Sequence, residues 1–111
     1  MASSIISNVF DVTDHTSSLE ITDSRFSANI YVKKTGRICL VTMNSTAVSE
    51  EISNWTQIGT LDEDIRPISN TSSFFADGSM LFFGTNGIIR SLGNISPASN
   101  KSFSIMYITK Q

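Results

Sequence analysis

Three short apolar segments in the second half of the chain are separated by an Asp-Gly pair and an Asn-Gly pair. Ser73-Phe74-Phe75-Ala76 leads through Asp77-Gly78 into Ser79-Met80-Leu81-Phe82-Phe83, and Asn86-Gly87 leads on into Ile88-Ile89-Arg90-Ser91-Leu92. A type I′ turn needs φ > 0 at both central residues, and Asp, Asn and Gly reach that region at the least steric cost. Three strands joined by two such turns make an antiparallel meander. A further hairpin is predicted where Lys33-Lys34-Thr35-Gly36 separates Ala28-Asn29-Ile30-Tyr31-Val32 from residues 37–43, with Gly36 in a loop of three to five residues. Leu19-Glu20-Ile21-Thr22 alternates as an edge strand does, and residues 103–109 form the last strand after a polar connection over 93–100. Residues 46–54 carry Glu50-Glu51 between serines and are too short and too β-branched at their flanks for a helix, so a loop is expected there. β-Branched and aromatic runs broken by turn clusters every ~8–12 residues predict an all-β fold, a small antiparallel β-sandwich of jelly-roll-like kind.

The strands are unusual in being apolar on both sides. Side chains alternate across a strand, so a sheet with one face in water should alternate apolar and polar. In the last strand Phe103, Ile105 and Tyr107 share one face, while Met106 and Ile108 lie on the other. Met80 and Phe82 oppose Leu81 and Phe83, and Ile38 and Leu40 oppose Cys39, Val41 and Met43. A chain of 111 residues forms one domain and is too small to cover both faces of several strands. The second faces are therefore expected to meet another copy of the chain. A closed barrel, or loops folded over the outer face, is the alternative. Residues 1–16 hold Ile5, Ile6, Val9, Phe10 and Val12 without clear period; they read as an extended segment or stalk junction ahead of a domain over 17–111.

Composition narrows the chemistry. Charged residues make up 16% of the chain and the formal net charge is -2, so nucleic acid is not an expected partner. Ser, Thr and Asn make up roughly a third of the sequence, giving a surface that interacts through neutral hydrogen bonds more than through a field. The single Cys, Cys39, sits in an apolar strand and reads as a small core residue; it supports neither an internal disulfide nor a cysteine-rich zinc site. No apolar run approaches the ~20 residues of a membrane helix, so no membrane insertion is expected. Residues 1–8 lack the basic and apolar regions of a secretory signal, and the Asn-X-Ser/Thr sequons at Asn44, Asn54, Asn70, Asn94 and Asn100 are discounted as glycosylation sites.

No residue pattern calls for an enzyme, a metal or a cofactor. His15, in Asp11-Val12-Thr13-Asp14-His15-Thr16, reads as a surface histidine, since a triad needs an oriented base and an oxyanion site. Asp62-Glu63-Asp64 lacks the ligand spacing and glycine of an EF-hand and reads as a solvated loop. Gly84-Thr85-Asn86-Gly87 is a hairpin turn without the Lys of a phosphate loop. Trp55 heads Trp55-Thr56-Gln57-Ile58-Gly59, with Gln57 and Gly59 on its own face. The preferred reading is a half-buried contact residue with its N–H satisfied; the alternative is an exposed indole that stacks on a sugar ring.

Asn54-Trp55-Thr56-Gln57-Ile58-Gly59-Thr60-Leu61-Asp62-Glu63-Asp64-Ile65-Arg66-Pro67 resembles a segment of phage tail-fibre and baseplate receptor-binding proteins, in their C-terminal head domains, including prophage copies in Gram-positive bacteria. The hairpin over residues 29–41 and the final Phe103-Ser104-Ile105-Met106-Tyr107-Ile108 strand are similar to theirs, so the likeness spans roughly residues 19–110. Asp62 stands where the pattern usually has Pro, and the usual Gly before Ile65 is missing, so this loop departs from it. The resemblance implies a homotrimer at the tail tip of a virion, or in the bacterial cytoplasm when expressed from a prophage. It would bind cell-surface saccharide, such as host cell-wall polysaccharide, and contact other tail or baseplate proteins. Trp55, Tyr31 and Asp64 are the candidate ligand-binding residues. The alternative is a trimerisation or baseplate-assembly domain without a ligand of its own.

Overall fold

The computed structural model describes residues 11–111. Its strands are β1 (Thr13–Asp14), β2 (Leu19–Ile21), β3 (Phe26–Thr35), β4 (Ile38–Val48), β5 (Gln57–Leu61), β6 (Thr71–Phe74), β7 (Met80–Phe83), β8 (Ile88–Leu92) and β9 (Ala98–Ile108). Single 3-10 turns occupy Thr16–Ser18 and Glu63–Ile65. The strands form two antiparallel sheets, one ordered β1-β3-β4-β9 and the other β2-β5-β8-β7-β6. The result is the expected sandwich-like all-β domain, with β2 at a sheet edge and β6-β7-β8 as a meander. Val12 and the residues of β1 already belong with the domain, while Ile5, Ile6, Val9 and Phe10 lie outside the described residues.

The turns fall where Gly was predicted, but their geometry differs. In Phe75–Ser79 and Gly84–Ile88 the amides of Gly78 and Gly87 close onto the carbonyls of Phe75 and Gly84, at 2.9 Å each. Gly78 and Gly87 have φ of 89° and 83°, while Asp77 and Asn86 keep negative φ. These are therefore three-residue loops with a left-handed glycine at the third position, not type I′ turns. The Asp and Asn serve through their side chains: Asp77 Oδ1 accepts from the Ser79 amide and Asn86 Oδ1 from the Ile88 amide, each bridging the glycine. The first hairpin is also tighter than expected. Thr35 pairs with Ile38, leaving a two-residue Gly36-Arg37 turn, so Lys33 and Lys34 are strand residues. The first third of the expected loop over 46–54 is strand, because a bulge after Met43, with Ser45 at φ 51°, lets β4 run on to Val48. β9 likewise begins at Ala98, within the predicted connection.

The inner faces make the core. Cys39, Val41 and Met43 of β4 meet Leu81 and Phe83 of β7 and Ile89 of β8, all fully buried. Phe83 stacks on Phe103 at 6.0 Å between ring centres and lies 5.9 Å from the ring of Tyr107. The Tyr107 hydroxyl donates to the Ile65 carbonyl at 2.7 Å, which satisfies a buried polar group and ties down the Glu63–Ile65 turn. Alternation in β5 fails, because a bulge between Gln57 and Gly59 buries both Ile58 and Gly59.

Asp77 ties one turn to the opposite sheet. The Ser79 hydroxyl and amide donate to its carboxylate, and the buried Lys101 ammonium lies 3.1 Å away, 4.4 Å above the Phe75 ring. These donors, the Ser79 hydroxyl first, hold the Asp77 carboxyl at about 2. An unfolded Asp titrates near ~3.9, so this group's contribution is present above that value and lost as pH falls toward 2. Asp77→Asn should therefore lose less thermal midpoint than the parent between pH 5 and pH 2. Equal losses would show that the turn is not held by this charge.

Candidate functional site

The outer face of the five-stranded sheet carries a ledge built around Trp55. Ile52 bridges to Ile95, bringing the 53–56 segment against the end of β8. Buried Ser91 fixes that segment: its hydroxyl donates to the Ser53 carbonyl at 2.8 Å and accepts from the Thr56 amide at 2.9 Å. The Trp55 amide donates to the Ser91 carbonyl at 3.0 Å, and across the same corner the Asn54 amide donates to Asn94 Oδ1 while Asn54 Oδ1 accepts from the Gly93 amide. Trp55 is thereby held at φ 65°, a left-handed conformation that a bulky residue adopts only when its surroundings impose it.

The indole remains 47% exposed although it leans on Phe82, ring centres 4.9 Å apart. Arg90, cross-strand neighbour of both Phe82 and Gln57, places its guanidinium 5.4 Å from the indole centre and donates to the Trp55 carbonyl at 3.1 Å. Among the described residues no carboxylate pairs with Arg90. The ledge thus offers a fixed aromatic face, a cation and an exposed amide side by side, groups suited to the carbon face and hydroxyls of a sugar. The Trp55 loop also covers Phe82, so on this sheet the second apolar face is partly closed by the chain's own loop.

The three sequence candidates occupy three separate places. Tyr31 stands exposed on the outer face of the four-stranded sheet, opposite Thr42. Asp64 lies at the corner between the sheets, where its Oδ2 accepts from the Ser18 hydroxyl at 2.8 Å and pairs with His15 Nδ1 at 2.5 Å. Burial pushes the Asp64 carboxyl up, but the hydrogen bonds from His15 and Ser18 outweigh it and hold the group below its ordinary value. The buried Lys34 ammonium donates to the Asp64 carbonyl at 2.6 Å. Asp64 is thus committed to joining the 3-10 turns to β3, and the acidic run is not a purely solvated loop.

His15 is half-buried, and so differs from the surface histidine expected. Its Nε2 lies 2.9 Å from the Thr13 hydroxyl, giving a Thr-His-Asp sequence of contacts. The Thr13 hydroxyl donates at 3.2 Å to the Lys34 carbonyl across the β1–β3 pair, which orients it into the sheet. The arrangement fastens the start of the domain, as does the Thr16 hydroxyl that accepts from the Val32 amide.

Sequence reasoning overlooked Arg90, Phe82 and Phe74. Arg90 had a signal, as a lone charge inside Ile88-Ile89-Arg90-Ser91-Leu92. Phe74 had none, because only the register of β6 makes Phe75 core and leaves Phe74 exposed. A recess of about 440 Å³ around Ile21, Asp23 and Phe26 lies apart from all these candidates, and its carboxylate, Asp23, is already held by Arg25 at 2.7 Å. On the four-stranded sheet, Ile38 pairs with Ile108 and Leu40 with Met106, all with exposed side chains, and Val12, Ile38, Leu40 and Met106 border a groove of about 200 Å³ together with Lys33, Lys34 and Thr35. No protein-family model matches the chain, and no curated protein is significantly similar to it.

Proposed function

We propose that this chain is a non-catalytic adhesion module, the trimeric head of a phage tail receptor-binding protein that recognises host cell-wall polysaccharide. The observation that carries the reading is Trp55: an exposed indole locked in a strained backbone conformation and flanked by Arg90 and Gln57. Strain held at an exposed aromatic fits a preorganised contact, because little ordering entropy remains to be lost on binding. Single sugar contacts of this kind are weak, and several copies on one oligomer raise the avidity. The exposed row of Ile38, Leu40, Met106 and Ile108 supports the oligomer, and it equally favours a second reading, a trimerisation or baseplate-assembly domain without its own ligand.

Trp55→Ala should weaken binding to solubilised host-wall polysaccharide about tenfold or more, since aromatic anchors dominate contacts of this size. The fold should persist, because the indole lies outside the core. Binding by the parent that the variant retains in full would remove Trp55 from the site. A parent that binds no glycan on an array or on host walls would favour the assembly reading.

A further inference from the structure

We propose that the polar half of the outer face of the four-stranded sheet is a second glycan trough, for an uncharged oligosaccharide, bounded by Tyr31 and Phe74. The inference rests on the reading of the chain as a saccharide-binding module, but concerns a face on the opposite sheet from Trp55. Tyr31 on β3 is paired with Thr42 on β4, and Thr42 with Ser104 on β9, so these three side chains form one row across the sheet. With neighbouring strands ~4.8 Å apart, the row spans about 10 Å. Asn44 lies in the next row, opposite Asn29. Phe74 closes the far side: the Ser73 hydroxyl donates to the Ser104 carbonyl at 2.9 Å, holding β6 against β9 and fixing Phe74 at the rim of a recess of about 250 Å³.

Three properties set this face apart from ordinary solvated surface. Phe74 is 65% exposed although Phe75 beside it is fully buried, and Tyr31 is 52% exposed, so two large aromatics stand out of a polar floor. The side-chain polar groups of Tyr31, Thr42, Asn44 and Ser104 make no hydrogen bond to other described residues, leaving both donors and acceptors for a ligand. The recess is lined by no charged side chain. Sugar hydroxyls match such neutral groups, and the carbon faces of the rings match the aromatic walls. A carboxylate or phosphate in the recess would give up water without gaining a counter-charge from the side chains that line it.

The test is to titrate the full chain with a panel of uncharged di- to tetrasaccharides of hexose and N-acetylhexosamine, and with uronic-acid oligosaccharides of the same length. Backbone amide NMR shifts report the location of binding. An uncharged oligosaccharide should shift amides around Thr42 and Ser104 in the parent and in Trp55→Ala alike. Phe74→Ser, whose side chain lies outside the core, should weaken that binding about tenfold. Shifts confined to the Trp55 ledge would overturn the trough and leave the proposed function standing. Unchanged affinity in Phe74→Ser, or binding there only by the charged sugars, would also overturn it. Failure of every oligosaccharide on both faces would overturn the proposed function together with the trough.

Discussion

The double substitution Leu40→Glu with Met106→Glu is expected to convert the proposed trimer into a monomer while leaving the fold intact. The two residues are cross-strand partners in the middle of an outer face where Ile38, Ile108 and Val12 are also exposed. Covering these five side chains would remove on the order of 500 Å² of mainly apolar surface per copy, a large part of the ~800 Å² each partner buries in a standard interface. A patch of that size matches the largest found on a typical monomer, and such patches often serve a contact. Two carboxylates per copy placed there would be buried with only Lys33 in their row to offset them, a cation already 3.7 Å from Asp14, so the interface would lose more than it gains. Both side chains point away from the core, so the far-UV circular dichroism should not change. Light scattering after gel filtration reads the result directly. A parent already monomeric at high concentration would refute the trimer, and a variant that stays trimeric would move the contact to another face.

Tyr31 and the hydroxyl row adjoin this patch without belonging to it. On β3 it is Lys33 that adjoins Tyr31, in the row of Leu40 and Met106, while reaching 3.7 Å from Asp14. The outer face is therefore graded along the strands, apolar around Ile38 and Ile108 and neutral polar around Thr42 and Asn44. Burying the first end against a second copy would leave the second end open to ligand. The proposed self-association and the proposed glycan recognition would then use one sheet without competing for it.

The strands were largely legible in the sequence because turn chemistry and alternation act locally. β8 runs from Ile88 to Leu92 as expected, and β9 buries Phe103, Ile105 and Tyr107 while exposing Met106 and Ile108. Local rules misled where one side chain served another role. Asp77 and Asn86 were expected to adopt positive φ themselves, yet they act as acceptors spanning a left-handed glycine. The bulges after Gln57 and Met43 displaced the face pattern, since one extra residue inverts everything beyond it. The site was less legible still. Residue type points to Trp55 and Tyr31 and a turn loop points to Asp64, and only long-range pairing determines that they face different directions. His15 and Asp64, 49 positions apart, meet through the packing of two 3-10 turns, which no spacing in the sequence announces.

Gly59→Ala is expected to be among the most damaging single substitutions in the domain. Gly59 is buried in β5, paired with Ile21 on one side and Ile89 on the other. A Cβ there would lie 2.4 Å from the backbone carbonyl oxygen of Glu20, with the Glu20 carbonyl carbon at 3.3 Å and the Ile21 Cα at 3.4 Å. The obstacle is backbone on both counts, so no side-chain rotation relieves it. Strand β2 must move outward, and it is held by only three ladder pairs together with the Thr22 and Asp23 amides on the Ile58 carbonyl. The cost should reach about 3 kcal/mol, the upper end for overpacking, against a total of ~5–15 kcal/mol for a domain. With a urea slope of ~1–3 kcal/mol/M, the unfolding midpoint should fall by ~1–3 M. Gly78→Ala provides the contrast: nothing lies within 4 Å of its Cβ, and its φ of 89° leaves only backbone strain of ~1–2 kcal/mol. Urea midpoints that drop equally in the two variants would mean that β2 shifts without resistance, and that the close approach at Gly59 does not fasten this edge of the sandwich.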